Sequence, residues 1–349
     1  MDGKRAIGLL AGLALTACAA HPIGEPRREP APAVLGAPER VALADLDGDG
    51  RPELAGADGA HLVVVRPDGS RAAEAPALGA PQYLEAGSVG DARAVVMGWG
   101  MDRAHRDAHA RLVAYFWEGG SLRPEIVAEI DTTRQDVAAL RLVNWPGMGA
   151  GVLYGLFDSK YFVRVGFATR RGGAWRQREL GRIRMASALD LVHADAGARV
   201  AVGRVYGDEL GQDGDAFLLG DGGARIPLPT TRGVRALVAQ DGELFVGDGW
   251  HREYGQKARG LVTRISLAGP HAELVEDTQG QYSVHKLALA DLDGCGSAEL
   301  IGLGPSYLRI WKRAGGRFIG RTVASSVPDF AAAPGLLLLA GPHPELLRF

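Results

Sequence analysis

A short pattern recurs seven times along the chain, and it constrains the fold more than any other feature. In each copy a strand ends in two apolar residues and a glycine, and successive glycines lie roughly 47 residues apart. That interval is about the length of one four-stranded blade of a β-propeller. The seven copies end at Gly56, Gly98, Gly155, Gly203, Gly247, Gly302 and Gly341.

The copies also agree in their internal order of strands and turns. The clearest begin with a small apolar strand, as at 41–44 and 287–290, followed by a tight polar turn. A third strand such as 61–65 and a more polar fourth strand such as 174–179 complete the unit. A polar outer strand is expected because only one of its faces is buried. We therefore predict an all-β, seven-bladed β-propeller at 39–349, with six or eight blades as alternatives because the middle copies are degenerate.

The seventh copy lacks a fourth strand, since the chain reaches Phe349 at the end of its third. Val34 and Leu35 lie just before the first copy and are predicted to supply the missing strand. Pairing of the two ends of the chain would close the ring and remove open sheet edges.

Composition excludes one class of function and supports the repeat. The net charge is −2 and the pI about 6.5, which gives no electrostatic basis for binding nucleic acid. The chain contains 50 glycines, which suits many short strands and tight turns better than long helices.

The first 18 residues resemble a bacterial lipoprotein signal. Lys4 and Arg5 precede an apolar run, which ends in small residues before Cys18. The resemblance implies a signal peptide at 1–17 and a lipidated Cys18 that holds the protein on a lipid bilayer of the bacterial cell envelope. Ala19 is not the aspartate associated with inner-membrane retention, which favours the outer membrane by analogy. An ordinary secretory signal is the alternative, and the Pro-rich stretch at 18–38 is predicted to be an extended spacer.

The turn of the first copy reads DLDGDGRPE at 45–53 and is rich in hard oxygen ligands. Its glycines allow a tight hairpin in which four carboxylates converge. Such ligands suit Ca²⁺, with the carbonyl of Arg51 as a further ligand. A simply solvated acidic hairpin is the alternative. The predicted carboxylate ligands are Asp45, Asp47, Asp49 and Glu53.

The sixth copy repeats this turn at 291–299, with Asp291, Asp293 and Glu299 as candidate ligands. Cys295 stands where the third acid would be, and a thiol is a soft ligand that matches Ca²⁺ poorly. We therefore expect this second site to be weak or empty.

These two stretches resemble the integrin-type FG-GAP and VCBS repeats, whose pattern is D-x-D-G-D-G-x-x-D/E followed by an apolar strand. The resemblance is close at 41–56 and 287–302, and the other five copies have lost most of the acids. It implies a β-propeller, calcium in the hairpins between first and second strands, and an extracytoplasmic binding or adhesion role.

In such a propeller the loops between second and third strands lie on the face opposite the hairpins. Here these loops combine aromatic and charged residues, which together suit a saccharide, peptide or protein surface. Ordinary solvated loops whose aromatics shield the blades are the alternative. The candidate rim residues are Trp99, Asp102, Arg103, His105, Phe157, Asp158, Lys160, Tyr206, Asp208, Trp250, His251 and Arg252.

Three functions are compatible with these patterns. The repeat and the anchor favour a non-catalytic, membrane-anchored binding or scaffold protein. The first alternative is a glycan hydrolase or lyase, which would use Asp102, Asp158 or Asp208 with His105 or His251 as acid and base. The second is a structural component of an envelope complex.

Overall fold

Seven four-stranded antiparallel sheets follow one another around a ring, so the fold is a seven-bladed β-propeller as predicted. The first strand of each blade packs against the first strands of its neighbours and lines the centre. Cys18 and the predicted signal lie outside the described residues. The computed structural model describes residues 23–70, 72–100, 110–118, 120–130, 136–194, 197–209, 212–220, 223–230, 232–249, 260–269, 271–278 and 284–349.

Blades 1 to 3 follow the repeat along the chain. Blade 1 comprises β2 (Arg40–Ala44), β3 (Glu53–Ala57), β4 (His61–Val65) and β5 (Ala73–Pro76). Blade 2 comprises β6 (Ala80–Val89), β7 (Ala92–Gly100), β8 (Ala110–Glu118) and β9 (Ser121–Ile130). Blade 3 comprises β10 (Val137–Trp145), β11 (Gly149–Phe157), β12 (Phe162–Arg171) and β13 (Ala174–Arg184).

Blades 4 to 7 complete the ring. Blade 4 comprises β14 (Ala186–Ala194), β15 (Gly197–Arg204), β16 (Ala216–Leu219) and β17 (Arg225–Pro227). Blade 5 comprises β18 (Ala236–Gln240), β19 (Glu243–Asp248), β20 (Leu261–Ser266) and β21 (His271–Asp277). Blade 6 comprises β22 (Lys286–Ala290), β23 (Glu299–Gly304), β24 (Tyr307–Ala314) and β25 (Arg317–Ala324). Blade 7 comprises β26 (Phe330–Ala333), β27 (Leu336–Leu339), β28 (Glu345–Arg348) and β1 (Arg27–Pro30).

At two of the repeated glycines, neighbouring blades approach closely. A Cβ atom on Gly203 would lie 2.5 Å from a methyl carbon of Val234, and one on Gly247 would lie 2.9 Å from Val284. Both valines lie two residues before the first strand of the next blade. At these two positions a larger residue would push the valine of the next blade away, which accounts for glycine there.

The ring is closed by β1, which pairs with the C-terminal strand β28. The prediction that Val34 and Leu35 supply this strand is wrong, because 33–35 form a short 3-10 helix and the side chain of Leu35 is buried. Pro32, with φ of −52°, precedes that helix as its N-cap residue. The predicted spacer at 18–38 therefore includes the closing strand, and Ile23 is already buried in the apolar cluster shared by blades 6 and 7.

Among the described residues, no helix is long and apolar enough to cross a membrane.

Candidate binding channel and acidic hairpins

The propeller has two different faces. The turns between first and second strands, including both acidic hairpins, lie on one face, which we call the hairpin face. The first strands begin, and the second strands end, on the opposite face, which we call the channel face. This is the arrangement that the resemblance implied.

A cavity of about 560 Å³ opens on the channel face, at the N-terminal ends of the first strands. A second cavity of about 370 Å³ continues along the centre and shares Glu85, Arg141 and Lys286 with the first. Tyr206, a predicted rim residue, lines the first cavity. Further polar groups that line the two cavities lay outside the predicted rim. They include Arg40, Gln82, Tyr83, Glu85, Arg141, Asp190, Arg235, His285, Lys286 and Asp329.

Many of these polar groups link one blade to the next. Arg141 lies 3.2 Å from Glu85 and 3.5 Å from Asp190, and so joins blades 2, 3 and 4. Burial opposes the charge of Arg141, but the carboxylates of Asp190 and Glu85 outweigh it and raise its pKa. Lys286 pairs with Asp329 at 2.7 Å, and Asp329 accepts a hydrogen bond from the amide of Val41. The channel wall is therefore a polar belt that fixes the blades relative to one another.

The mouth of the channel combines cationic and aromatic groups. Burial lowers the pKa of Arg235, and burial together with the charge of Arg235 lowers the pKa of His285. His285 is therefore neutral at pH 7 and able both to donate and to accept a hydrogen bond. Tyr206 lines the same cavity, which adds an aromatic surface. This set suits a polar ligand that has a flat or anionic part.

Two of the predicted rim residues are core residues. Trp99 is fully buried between blades 1 and 2, and its indole N–H donates to the Tyr115 hydroxyl at 2.9 Å. The prediction that Trp99 lies on the rim is wrong, because β7 continues to Gly100 and keeps this side chain within the sheet. Phe157 is also buried, in the cluster of blades 3 and 4, although part of it lines the cavity.

The remaining described rim residues lie in charged contacts on the channel face. Asp158 pairs with Arg182 at 2.6 Å, and Asp208 contacts both Arg204 and Arg225. Burial alone would raise the pKa of Asp208, but the two arginines lower it. Lys160 is exposed, with its ammonium 5.0 Å from the Tyr161 ring centre. Asp102, Arg103, His105, Trp250, His251 and Arg252 lie outside the described residues.

The first acidic hairpin gathers three aspartates. Asp45, Asp47 and Asp49 each offer a carboxylate oxygen within 4.8 Å of the others. Gly48 and Gly50 have φ of +86° and +84°, and their amides donate to the two oxygens of Asp45. The positive φ angles explain why these positions are glycine.

Glu53 supports this hairpin from inside. It is 1% exposed, and its Oε2 accepts hydrogen bonds from the amides of Leu46 and Asp47. Its Oε1 is buried without a hydrogen-bond partner among the described residues. Burial raises the pKa of Glu53, and the neighbouring aspartates Asp47 and Asp49 add to the effect. Arg51 contributes its amide to Asp49 Oδ1 at 2.8 Å, and its side chain is exposed.

Two arginines that sequence reasoning missed approach the first hairpin. Arg66, which follows β4, contacts Asp47 and lies 3.5 Å from Asp49. Arg93 of blade 2 lies 2.8 Å from Asp45. Both side chains are partly exposed, so both are able to move away from the hairpin.

The second hairpin carries a buried cation of its own. Asp291, Asp293 and Glu299 offer oxygens within 4.8 Å of one another, and Lys312 contacts Asp293. The Lys312 side chain is only 8% exposed. Burial would raise the pKa of Asp293, but its hydrogen bond from Lys312 lowers it, whereas burial raises the pKa of Glu299. Cys295 takes the position of Asp49, and its amide donates to Asp293.

Comparisons with known proteins extend the description of the fold only. No protein-family model and no curated protein matches the chain. One chain of the crystal structure of BBS1N in complex with ARL6DN is similar, with a TM-score of 0.59 and 15% identity. The similarity covers 92% of this chain and 94% of that one. A chain of the crystal structure of the mitotic checkpoint complex has a TM-score of 0.56 and 16% identity, with 95% of each chain covered.

At this level of identity the likeness shows the propeller fold alone.

Proposed function

We propose that this protein is a membrane-anchored, extracytoplasmic binding or scaffold module that holds its partner on the channel face. The observation that carries the proposal is the cavity of about 560 Å³, in which polar and aromatic groups from several blades converge. Concave sites with a few convergent polar groups are the usual ligand sites of such folds. A saccharide, peptide or protein segment with a flat or anionic part matches Tyr206, Arg235 and His285.

The proposed location follows from the N-terminal residues. A basic start, an apolar run and Cys18 after small residues support lipidation and a place in the bacterial cell envelope, with the outer membrane favoured. The propeller would then work outside the cytoplasm.

Calcium is proposed at the first hairpin. Its carboxylates fit the ion because they supply several hard oxygen atoms within one small turn. The buried Oε1 of Glu53, which has no hydrogen-bond partner among the described residues, supports a cation at this turn. When bound, Ca²⁺ would displace Arg66 and neutralise the turn. The second hairpin fits less well, because Lys312 already supplies a cation and Cys295 a soft atom.

A catalytic role draws less support from the described residues. Asp158 and Asp208, the candidate acids, are each paired with arginine. The arginines lower the pKa of Asp208, which makes it a poor proton donor. The binding role is therefore the one that the geometry favours.

Site-specific photocrosslinking in intact cells tests the proposal. A photoreactive residue at Tyr206 is compared with one at Ile226, which is exposed on the outer strand of blade 4. We expect crosslinks from Tyr206 only, and we expect Arg235→Ala to remove them. Equal crosslinking from the two positions would exclude the channel face as the binding surface.

A further inference from the structure

The chain enters the propeller at the hairpin face of blade 7. β28 follows the loop at 340–344 on the channel face and runs towards the hairpin face. Because Arg27 pairs with Arg348 near the end of β28, β1 starts at that same end. Arg321 of blade 6 also donates to the carbonyl of Ile23 at 3.2 Å. The chain is therefore fixed to blades 6 and 7 from Ile23 onwards.

Little chain separates this entry point from the proposed anchor. Only residues 19–22 lie between Cys18 and Ile23. A fully extended chain spans at most about 3.6 Å per residue, so these five steps cover no more than about 18 Å. The inference rests on the proposed lipidation of Cys18. Given that anchor, the edge of blades 6 and 7 lies close to the lipid headgroups.

This edge is basic although the whole chain is slightly acidic. We define the basic margin as residues 23–29, 313–321 and 345–349, which carry six arginines and three glutamates. The side chain of Arg27 is 79% exposed and that of Arg313 is 52% exposed. The net charge of +3 on this margin contrasts with −2 for the chain. The arginines are Arg27, Arg28, Arg313, Arg317, Arg321 and Arg348.

The basic margin also exposes an apolar side chain. Ile319 lies on β25 between Arg317 and Arg321, and it is 51% exposed. Because every second side chain of a strand points to the same side, these three side chains share one side of β25. Arginines around an exposed apolar residue suit the boundary between headgroups and acyl chains, where both kinds of contact are available.

We propose that the basic margin docks on the anionic surface of the bilayer that holds the lipid anchor. The hairpin face at blades 6 and 7 then lies against the membrane, and the channel face opens away from it. Anchor and margin act together, because a basic patch strengthens a lipid anchor that already holds the protein at the surface. The orientation leaves the channel mouth open to partners in the aqueous space.

The test uses the full, lipidated chain in vesicles of phosphatidylcholine with about 30% phosphatidylglycerol. In a Cys295→Ser background, a fluorophore is placed at Ile319→Cys on the margin or at Ala60→Cys on the channel face. Brominated lipids quench fluorophores near the bilayer. We expect clearly stronger quenching at position 319 than at position 60.

A charge reversal separates docking from anchoring. Arg317→Glu should lower the ratio of docked to undocked protein, read from quenching at position 319, roughly thirtyfold, since it changes the charge by two units and each unit near an anionic surface is worth about 1 kcal/mol. The matched control is Arg178→Glu on the exposed outer strand of blade 3, which should leave quenching unchanged.

Two outcomes would overturn the inference. One leaves the proposed lipid anchor in place, and the other removes it. If the chain stays anchored and the two positions are quenched equally, docking by the basic margin is wrong and the anchor stands. If Cys18 reacts with maleimide, it carries no lipid, and the proposed anchor is lost together with the inference.

Discussion

The two acidic hairpins are the same turn with different sources of positive charge. In both, a buried glutamate accepts the amide of the leucine after the first aspartate, as Glu53 does from Leu46 and Glu299 from Leu292. In both, a basic residue near the end of the third strand contacts the second aspartate. That residue is Arg66 in blade 1, 31% exposed, and Lys312 in blade 6, 8% exposed.

The difference teaches how a repeat keeps a carboxylate turn without depending on an ion. Carboxylates this close repel one another unless a cation lies among them. In blade 6 that cation is the buried Lys312. Cys295 replaces the third aspartate, so the second hairpin has one negative charge fewer to neutralise. Blade 1 keeps all its acids and a guanidinium that is partly in solvent, so its turn remains open to an external cation.

Removing the internal cation of blade 6 is expected to have the largest effect. Lys312→Met leaves Asp293 without its partner in a poorly solvated position, and we expect a loss of about 3 kcal/mol in the free energy of unfolding. Chemical denaturation of the variant and the wild type measures the loss. An unchanged midpoint would mean that solvent already neutralises the second hairpin.

Calcium is expected to stabilise the protein through the first hairpin only. At about 10 mM Ca²⁺ we expect a gain of about 2 kcal/mol, which a thermal melt reports as a higher Tm. Asp47→Ala should abolish the gain, and Asp293→Ala should leave it intact. A gain that survives Asp47→Ala would place the ion elsewhere and remove the difference between the hairpins.

Restoring the third acid should make the second hairpin more like the first. In an Asp47→Ala background, Cys295→Asp is expected to restore part of the calcium response, about 1 kcal/mol, because a hard ligand replaces a soft one. Cys295→Ser serves as the control, since it removes the thiol without adding charge. No response from Cys295→Asp would show that Lys312 alone excludes the ion.

The smallest effect is expected at Arg66. Arg66→Met should lower the unfolding midpoint only slightly in the absence of calcium, because solvent screens a partly exposed pair. The same substitution should tighten calcium binding, since the competing guanidinium is gone. Isothermal titration calorimetry measures the calcium affinity of the variant and the wild type. Weaker binding by the variant would show that Arg66 helps to hold the ion-binding turn.

Much of the fold could be predicted because its signal repeats. Small apolar first strands, the glycine between blades and the acidic turns recur with one period, and the strands at 41–44, 61–65 and 287–290 lie where the repeat predicts them. The closing strand could not be predicted in this way. Arg27–Pro30 is short, highly charged and ends in proline, which an outer strand tolerates because only one of its edges is paired.

The sites were less predictable because side-chain partners depend on register and burial. In the sequence, Trp99 follows the glycine that ends the repeated strand and so looks like a loop residue. In the structure β7 extends two residues further, to Gly100, and the side chain of Trp99 lies in the core. Arg40, Arg235 and Lys286 line the channel, and each directly precedes or begins a first strand. A polar residue at the start of each small apolar strand was the sequence signal that could have predicted these channel-lining residues.

The closure of blade 7 makes the two ends of the chain depend on each other during folding. Glu29 and Arg348, which lie 3.0 Å apart, are separated by 319 residues. β1 pairs with β28 in the described structure, so the ring stays open until β28 has been synthesised. Such a distant contact forms slowly and late. Until then blade 7 has an unpaired edge, and the nascent propeller is most exposed to mispairing and proteolysis at that edge.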